Sequence, residues 1–235
     1  MGRVKVGVIG AMDSEVTSLI EKIQGVNTYE VGTIHANEGV IDGVNVVVVK
    51  CGIGKVFAAM CAQALINNFG CTHIINTGVA GALAPELNVG DIVVSTDACE
   101  HDLDVTPLGY APGEHPDLHQ VYFQADDHLR EVALGAASEF DDVNAFEGRV
   151  CSGDQFIASV EQKERITNLF GGMCCEMEGA SIAHVCSTNE IPFVVVRAIS
   201  DKADGSAHVS YPEFEKAAAA HCAKVVLQTL PKITA

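Results

Sequence analysis

The chain has 235 residues, 48% hydrophobic and 19% charged, and these proportions suit one α/β domain over residues 1–235 with an ample core. Fourteen Lys and Arg against 31 Asp and Glu give a formal charge of -17, so a nucleic-acid backbone or an anionic membrane surface is repelled on average and neither is an expected partner. No apolar run approaches the roughly 18 to 20 residues that span a bilayer, and the stretch from Met1 to Gly10 has too short an apolar segment for a signal peptide and no Ser or Thr at Val6 for myristoylation, so a cytoplasmic location is expected.

Taken in chain order, Val4 to Ile9 predicts a first strand, followed by a helix from Ala11 to Ile23 with Asp13 and Glu15 in its early turns. The segments Ile34 to Ile41 and Val44 to Lys50, split by Asp42-Gly43, predict a hairpin-like pair of strands. An Ala-rich helix is expected from Lys55 to Phe69, then short strands at His73 to Asn76 and Gly90 to Ser95, and a further strand ending at Val150-Cys151. Helical patterns cover Asp126 to Phe140, Ser159 to Phe170, Gly179 to Thr188 and Tyr211 to Leu230. The run Pro192 to Val196, continuously apolar and β-branched, predicts a buried strand of a parallel sheet. This alternation predicts a mostly parallel, twisted sheet covered by helices on both faces, an α/β sandwich. His101 to Val121, with prolines and glycines clustered between Pro107 and Pro116, is the one long irregular segment, and such loops are usually functional or lie at an interface.

Three stretches carry most of the chemistry: Ser152-Gly153-Asp154-Gln155-Phe156-Ile157, Glu176-Met177-Glu178-Gly179 and Arg197-Ala198-Ile199-Ser200-Asp201. Arg197, Ser200 and Asp201 follow the apolar run from Pro192, and the ends of parallel strands are where open α/β sheets bind ligands. If Glu176-Met177-Glu178 is extended, its two carboxylates share one face and Met177 points the other way. Any one of these residues alone would read as a surface salt bridge. Together, each beside an apolar run, they point to acid/base chemistry or the gripping of a polyhydroxylated ligand.

Other motifs are excluded by their spacing. Gly7 to Met12 is a strand-to-helix turn without the G-x-G-x-x-G of a dinucleotide fold, and is read as a tight turn bringing Met12 and Glu15 to a ligand. Gly52-Ile53-Gly54-Lys55 lacks the Walker spacing and hydroxyl, Val56 following the lysine, so a nucleoside triphosphatase is not expected. Thr77 to Ala82 could bring backbone amides close to a sugar or base, or be merely a tight connection. His115 and His119 stand four apart, but Pro116 lies between them and no third ligand is evident, so no zinc site is read here. His101-Asp102-Leu103-Asp104 is read as a polar loop. No G-x-S-x-G elbow is present, and the nine cysteines, mostly in apolar segments and without a C-x-x-C pair, are expected to be buried reduced thiols.

Gly10-Ala11-Met12-(x)2-Glu15, Gly52-Ile53-Gly54-Lys55-Val56, Asn76-Thr77-Gly78-Val79-Ala80-Gly81, Gly90 to Ser95 and the three stretches above occur together and in the order that resembles bacterial 5'-methylthioadenosine/S-adenosylhomocysteine nucleosidases of the nucleoside phosphorylase superfamily. The resemblance runs from about Val4 to Leu230. It implies a three-layer α/β sandwich around a mixed, partly barrel-like sheet, and hydrolysis of the N-glycosidic bond of 5'-methylthioadenosine, S-adenosylhomocysteine and 5'-deoxyadenosine in methionine salvage. No cofactor and no metal are implied, and the partners are small-molecule 5'-thioadenosine nucleosides and a second copy of the chain.

By the same resemblance, Asp201, held by Ser200, protonates purine N7, while Glu15 activates water with Arg197 helping to orient it. Glu178 and Met177 hold the ribose hydroxyls, and Phe156 and the Ile157 backbone stack on and read the adenine. Met12, Ile53, Val79, Ala80, Gly81, Glu176 and Tyr211 complete the substrate pocket, and Leu108, Tyr110 and Pro116 close the pocket of the partner subunit in a homodimer. Val79 replaces a serine of some members and Tyr211 a phenylalanine of many, which alters contacts to water or the 5' group. Three other readings stand beside this one: a 6-amino-6-deoxyfutalosine nucleosidase of menaquinone synthesis, a phosphorolytic purine nucleoside phosphorylase, and a catalytically silent nucleoside sensor. The last would be expected to lack Glu15 or Asp201.

Overall fold

The apolar run at the N-terminus forms β1 (Lys5–Gly10), the middle of a ten-stranded sheet in a computed structural model that describes residues 4–141 and 143–233. The reading of the N-terminus rests in part on residues 1–3, and the domain reading also takes in residues 142, 234 and 235; these lie outside the described residues. On its two sides β1 pairs in parallel with β4 (Val44–Lys50) and β5 (His73–Ala82). Both neighbours are β-branched and buried, the composition of strands covered on two faces. Beyond β4, an antiparallel meander through β3 (Ile34–Ile41) and β2 (Gln24–Val31) forms one edge of the sheet.

The other side curls. β5 pairs in parallel with β10 (Phe193–Asp201), β10 runs antiparallel to β6 (Ile92–Glu100), and β6 pairs in parallel with β8 (Ala145–Ser152). Between them in sequence lies β7 (Phe123–Gln124), which pairs with β6 off this path. β8 then pairs in parallel with β9 (Cys174–Glu176), which returns antiparallel to β5, so five strands close into a barrel-like ring. The sheet is therefore mixed, where strand and helix alternation alone predicts a mostly parallel one. The antiparallel pairs come from the meander and from ring closure through β6, β7 and β9, none of which involves a βαβ crossover.

Helices cover both faces. α2 (Lys55–Phe69) and α5 (Gly179–Thr188) seat Ala58, Cys61, Leu65 and Ile182 on one face, while α1 (Asp13–Ile20), α3 (Asp127–Ala137) and α6 (Ala207–Thr229) seat Leu19, Leu129 and Val225 on the other. α4 (Val160–Phe170) closes a smaller cluster in which Ile166 and Phe170 meet Cys99, Cys151 and Cys175. The result is the expected three-layer sandwich with a partly barrel-like sheet. All nine cysteines are free and buried, and burial pushes the Cys61 and Cys71 thiols up to about 12, away from the reactive thiolate. Among the described residues no helix is long and apolar enough to cross a membrane.

Two strands run further than their apolar cores suggest, and this matters for the site. β5 continues through Thr77-Gly78-Val79-Ala80-Gly81 to Ala82 because each of these residues is buried and paired, so the glycine-containing segment is strand rather than connection. β10 likewise continues through Arg197 and Ser200 to Asp201, its last residue. At the helix starts, Asp126 and Ser159 accept from the amides of Leu129 (2.9 Å) and Gln162 (3.2 Å), and so cap α3 and α4. The segment from His101 to Val121 is irregular apart from a 3-10 turn at Thr106–Leu108 and an isolated bridge between His115 and Gln120.

Candidate active site

The C-terminal ends of β1, β5, β9 and β10 and the first turns of α1 and α5 meet at one cavity of about 280 Å³, the edge at which parallel strands present ligand sites. Glu15 enters from the first turn of α1. Its Oε2 turns back to accept from the amides of Ala11 (2.6 Å) and Met12 (3.0 Å), and its Oε1 accepts from Val79 (3.1 Å). Those bonds let a carboxylate that is 2% exposed remain in the core. Burial raises its pKa, against the opposing pull of Arg197 and the three amides. Gly78 is required beside it, because a Cβ there would collide with both the Glu15 carboxylate and the Arg197 guanidinium.

Arg197 lies behind the cavity wall and is 1% exposed. Its Nη2 donates to Glu176 and to Asn76 Oδ1 (2.5 Å), with Glu178 Oε2 at 3.6 Å, and its Nη1 points to the Val79 carbonyl (3.4 Å). Burial works against the charge, but Glu176, Glu178 and Glu15 outweigh it and hold the guanidinium protonated. The hydrogen bonds to Glu15 come from backbone amides, and Arg197 acts on it through its charge.

The extended reading of Glu176-Met177-Glu178 holds only for its first residue. β9 ends at Glu176, Met177 sits in a bend and Glu178 is the N-cap residue of α5, yet both carboxylates still turn toward Arg197. Glu176 also accepts from Ser152 Oγ and from the amides of Glu178 (3.0 Å) and Gly179 (2.7 Å), an anion placed at the positive end of α5. Its oxygens are therefore occupied by protein donors. Glu178 takes the Gly54 amide on Oε1 (2.8 Å), and burial together with the neighbouring Glu176 pushes its pKa up against the pull of Arg197. In the turn that superficially resembles a phosphate loop, the amides of Gly54 and Lys55 are thus spent on Glu178 and Asp154.

Asp201 lines the cavity at the end of β10. Its Oδ1 accepts from Ala203 N (2.8 Å), and its Oδ2 is 2.9 Å from Ser200 Oγ, which also lies 3.3 Å from the Ala80 carbonyl. A hydroxyl both donates and accepts, so Ser200 can give its proton to Ala80 and still accept one from a protonated Asp201. Burial raises the Asp201 pKa, the two hydrogen bonds opposing it. Gly81 makes room here: a Cβ would stand 2.9 Å from Asp201 Oδ1.

The remaining wall is apolar. Met12, Ile53, Val79, Ala80 and Met177 line it, with Phe156 edge-on to Tyr211 at 5.4 Å and the Tyr211 hydroxyl 3.3 Å from Met12 Sδ. Burial pushes Tyr211 up to about 12, so it is a neutral phenol. Ile157 lines a recess of about 30 Å³ next to Phe156 and Asp201 rather than the main cavity. Leu108, Tyr110 and Pro116 line neither, and Leu108 is 75% exposed. Sequence reasoning missed Ala11 and Cys175 as lining residues, and missed Asn76 and Ser152 as the partners that hold Arg197 and Glu176. A polar Asn76 closing an apolar strand pattern was the available signal for the third of these.

Residues 5–231 match the phosphorylase superfamily. A 5'-methylthioadenosine/S-adenosylhomocysteine nucleosidase of Anoxybacillus flavithermus is 41% identical over 222 residues, 94% of this chain and 95% of its own. The chain belongs to this nucleosidase family. The crystal structure of the Neisseria meningitidis family member in complex with methylthio-immucillin-A agrees at a TM-score of 0.94 and 40% identity, covering 97% of this chain and 99% of that one. A futalosine hydrolase of Helicobacter pylori is also similar, with a TM-score of 0.92 and 31% identity over 98% of each chain.

The buried charge cluster of this nucleosidase-family site makes a stability prediction. Arg197→Met should destabilise the fold by about 3–5 kcal/mol, because Glu176 and Glu178 would be left buried without their counter-charge. Urea unfolding followed by circular dichroism measures this, and a loss below about 1 kcal/mol would mean that the carboxylates do not depend on the guanidinium.

Proposed function

We propose that the chain hydrolyses the N-glycosidic bond of 5'-methylthioadenosine and S-adenosylhomocysteine, and also of 5'-deoxyadenosine, as a single domain without a cofactor. The observation that carries this reading is that Glu15 and Asp201, both with pKa values raised by burial, face the same cavity. Adenine is a poor leaving group as an anion. Asp201 would donate a proton to purine N7 as the C1'–N9 bond breaks, and Ser200 would hold the acid in place. Glu15 would take a proton from the water whose oxygen bonds to C1', and raised basicity suits that task. This is the two-carboxylate logic of glycosidases applied to an N-glycoside.

The rest of the pocket supports the same substrate class. Glu178, with Oε1 on an amide and its other oxygen 3.6 Å from Arg197, would accept from the ribose hydroxyls beside Met177. Phe156 offers a ring face for adenine, and the Ile157 backbone borders it. Tyr211, Met12 and Ile53 supply an apolar wall for the thioether. Phosphorolysis is less well supported: the turn Gly10-Ala11-Met12-Asp13-Ser14-Glu15 contains two acidic groups and no arginine, and Arg197 is engaged by Asn76 and Glu176. The similarity to a futalosine hydrolase keeps aminodeoxyfutalosine as a second substrate reading.

We further propose a cytoplasmic homodimer acting in methionine salvage, and exposed apolar surface supports the dimer. Ile53, Val56, Phe57 and Met60 expose apolar surface at and along α2, and Leu108 stands out from a Pro/Gly-rich loop that does not reach its own pocket. In this arrangement the loop from Leu103 to Pro116 closes the partner's 5' pocket.

Incubation with methylthioadenosine, adenosylhomocysteine and aminodeoxyfutalosine in phosphate-free buffer, with chromatography for the free base, tests the substrate reading. Asp201→Asn should lower turnover at least about 10²- to 10⁴-fold with folding retained, and Glu15→Gln should do likewise. Near-normal adenine release by folded Asp201→Asn would remove Asp201 from the mechanism. Because Glu15 works ionised and Asp201 protonated, the rate should fall as pH drops through the raised Glu15 pKa and as pH rises through the raised Asp201 pKa. For the assembly, light scattering should find a dimer at assay concentrations, and a fully active monomer would refute the loop's role.

A further inference from the structure

A second cleft, of about 460 Å³, opens between α2 and α5, apart from the substrate cavity. Three of its lining residues come from distant parts of the chain: Glu100 at the end of β6, His115 in the long irregular segment and His184 in α5. Glu100 Oε1 lies 3.2 Å from His184 Nδ1 and 3.3 Å from His115 Nε2, and each of the three residues offers a ligand atom within 4.8 Å of those of the other two. A tetrahedral zinc ion with bonds of about 2.0–2.1 Å holds its ligands roughly 3.3 Å apart. Two of the three separations already have that value.

His184 Nδ1 is within hydrogen-bond reach of Glu100 Oε1, but the cluster leaves the second imidazole without such a bond. His115 Nε2 is buried and makes no hydrogen bond, and Glu100 Oε1 lies 3.3 Å from it. Glu100 Oε1 is the carboxylate oxygen that the two imidazoles share. Lys55 Nζ sits on the other carboxylate oxygen, Oε2 (2.8 Å), and on Asp102 Oδ1 (2.7 Å), so Oε1 stays turned to the two imidazoles and the lysine charge is matched by Asp102. The rings are also fixed. Phe123 stacks on His184 at 4.7 Å, and the two histidine rings meet edge to face at 4.3 Å.

We propose that Glu100, His115 and His184 bind a divalent transition-metal ion of the zinc type, with its remaining position open to the cleft. The ion would tie the segment from 101 to 121, through His115, to β6 and α5. His119, exposed and paired with Glu114 at 3.5 Å, takes no part. The sequence spacing of His115 and His119 gives no zinc site, and the two residues grouped with His115 here come from separate elements.

Full-length protein stripped with a chelator and titrated with zinc against a chromophoric competitor should saturate at one equivalent per chain. Cobalt(II) in its place should give tetrahedral visible bands without thiolate charge transfer, which excludes the cysteines as the ligands. His115→Gln and His184→Gln should each weaken zinc binding by at least about tenfold, while His119→Gln should bind as the parent does. Zinc should raise the thermal midpoint of the parent protein and of His119→Gln more than that of the two ligand variants. No saturable zinc binding by the parent protein overturns the proposal whatever the variants do. Equal binding by folded His115→Gln and His184→Gln, or a thiolate signature with cobalt, overturns the ligand assignment.

Discussion

A guanidinium charge held almost wholly out of water has to be matched by anions at close range, and around Arg197 that demand organises the end of the sheet. Glu176 meets it directly and Glu178 at 3.6 Å, while Asn76 fills a further donor direction. The same Glu176 receives the first amides of α5 and the Ser152 hydroxyl, so the β9 to α5 junction and the end of β8 are set around one carboxylate. Gly78 has no side chain because both the arginine and Glu15 occupy the space that a Cβ would need. Buried ion pairs of this kind add little net stability over apolar packing, but removing one partner is costly. What the cluster provides is a fixed arrangement of charge beside a cavity.

That arrangement separates three acidic roles by environment. Glu176 lines the cavity with its oxygens taken by protein donors. Glu15 and Asp201 each keep a small number of hydrogen bonds, and burial raises their pKa values. A pair of carboxyls with raised pKa values facing one cavity suits proton transfer near neutral pH, because an acid must be protonated and a base ionised under the same conditions. The apolar wall of Met12, Ile53, Phe156 and Tyr211 limits water around them and strengthens the electrostatic interactions inside.

Much of this was legible in the sequence because the core strands are continuous β-branched runs and the helices carry recognisable starts, as with Asp126 and Ser159. The motif order identified the family, and the cavity contains Glu15, Val79, Phe156, Glu178 and Asp201 as read. Ring closure was not legible. β9 is only three residues long and β7 two, too short for periodicity to register, and their pairing is antiparallel. The extension of β5 through Gly78 was hidden because glycine in a strand reads as a break until the close approach of Arg197 and Glu15 is known. The partners Asn76 and Ser152 were hidden because their importance lies in contacts across 121 and 24 residues of chain.

A carboxylate-rich site of this kind suits the activation of water and repels an anionic nucleophile. Turnover of methylthioadenosine in 18O-labelled water with saturating phosphate, with the sugar product analysed by mass spectrometry, distinguishes the two. Free 5-methylthioribose carrying the label at C1 is the predicted product. A ribose 1-phosphate ester as the main product would contradict the account.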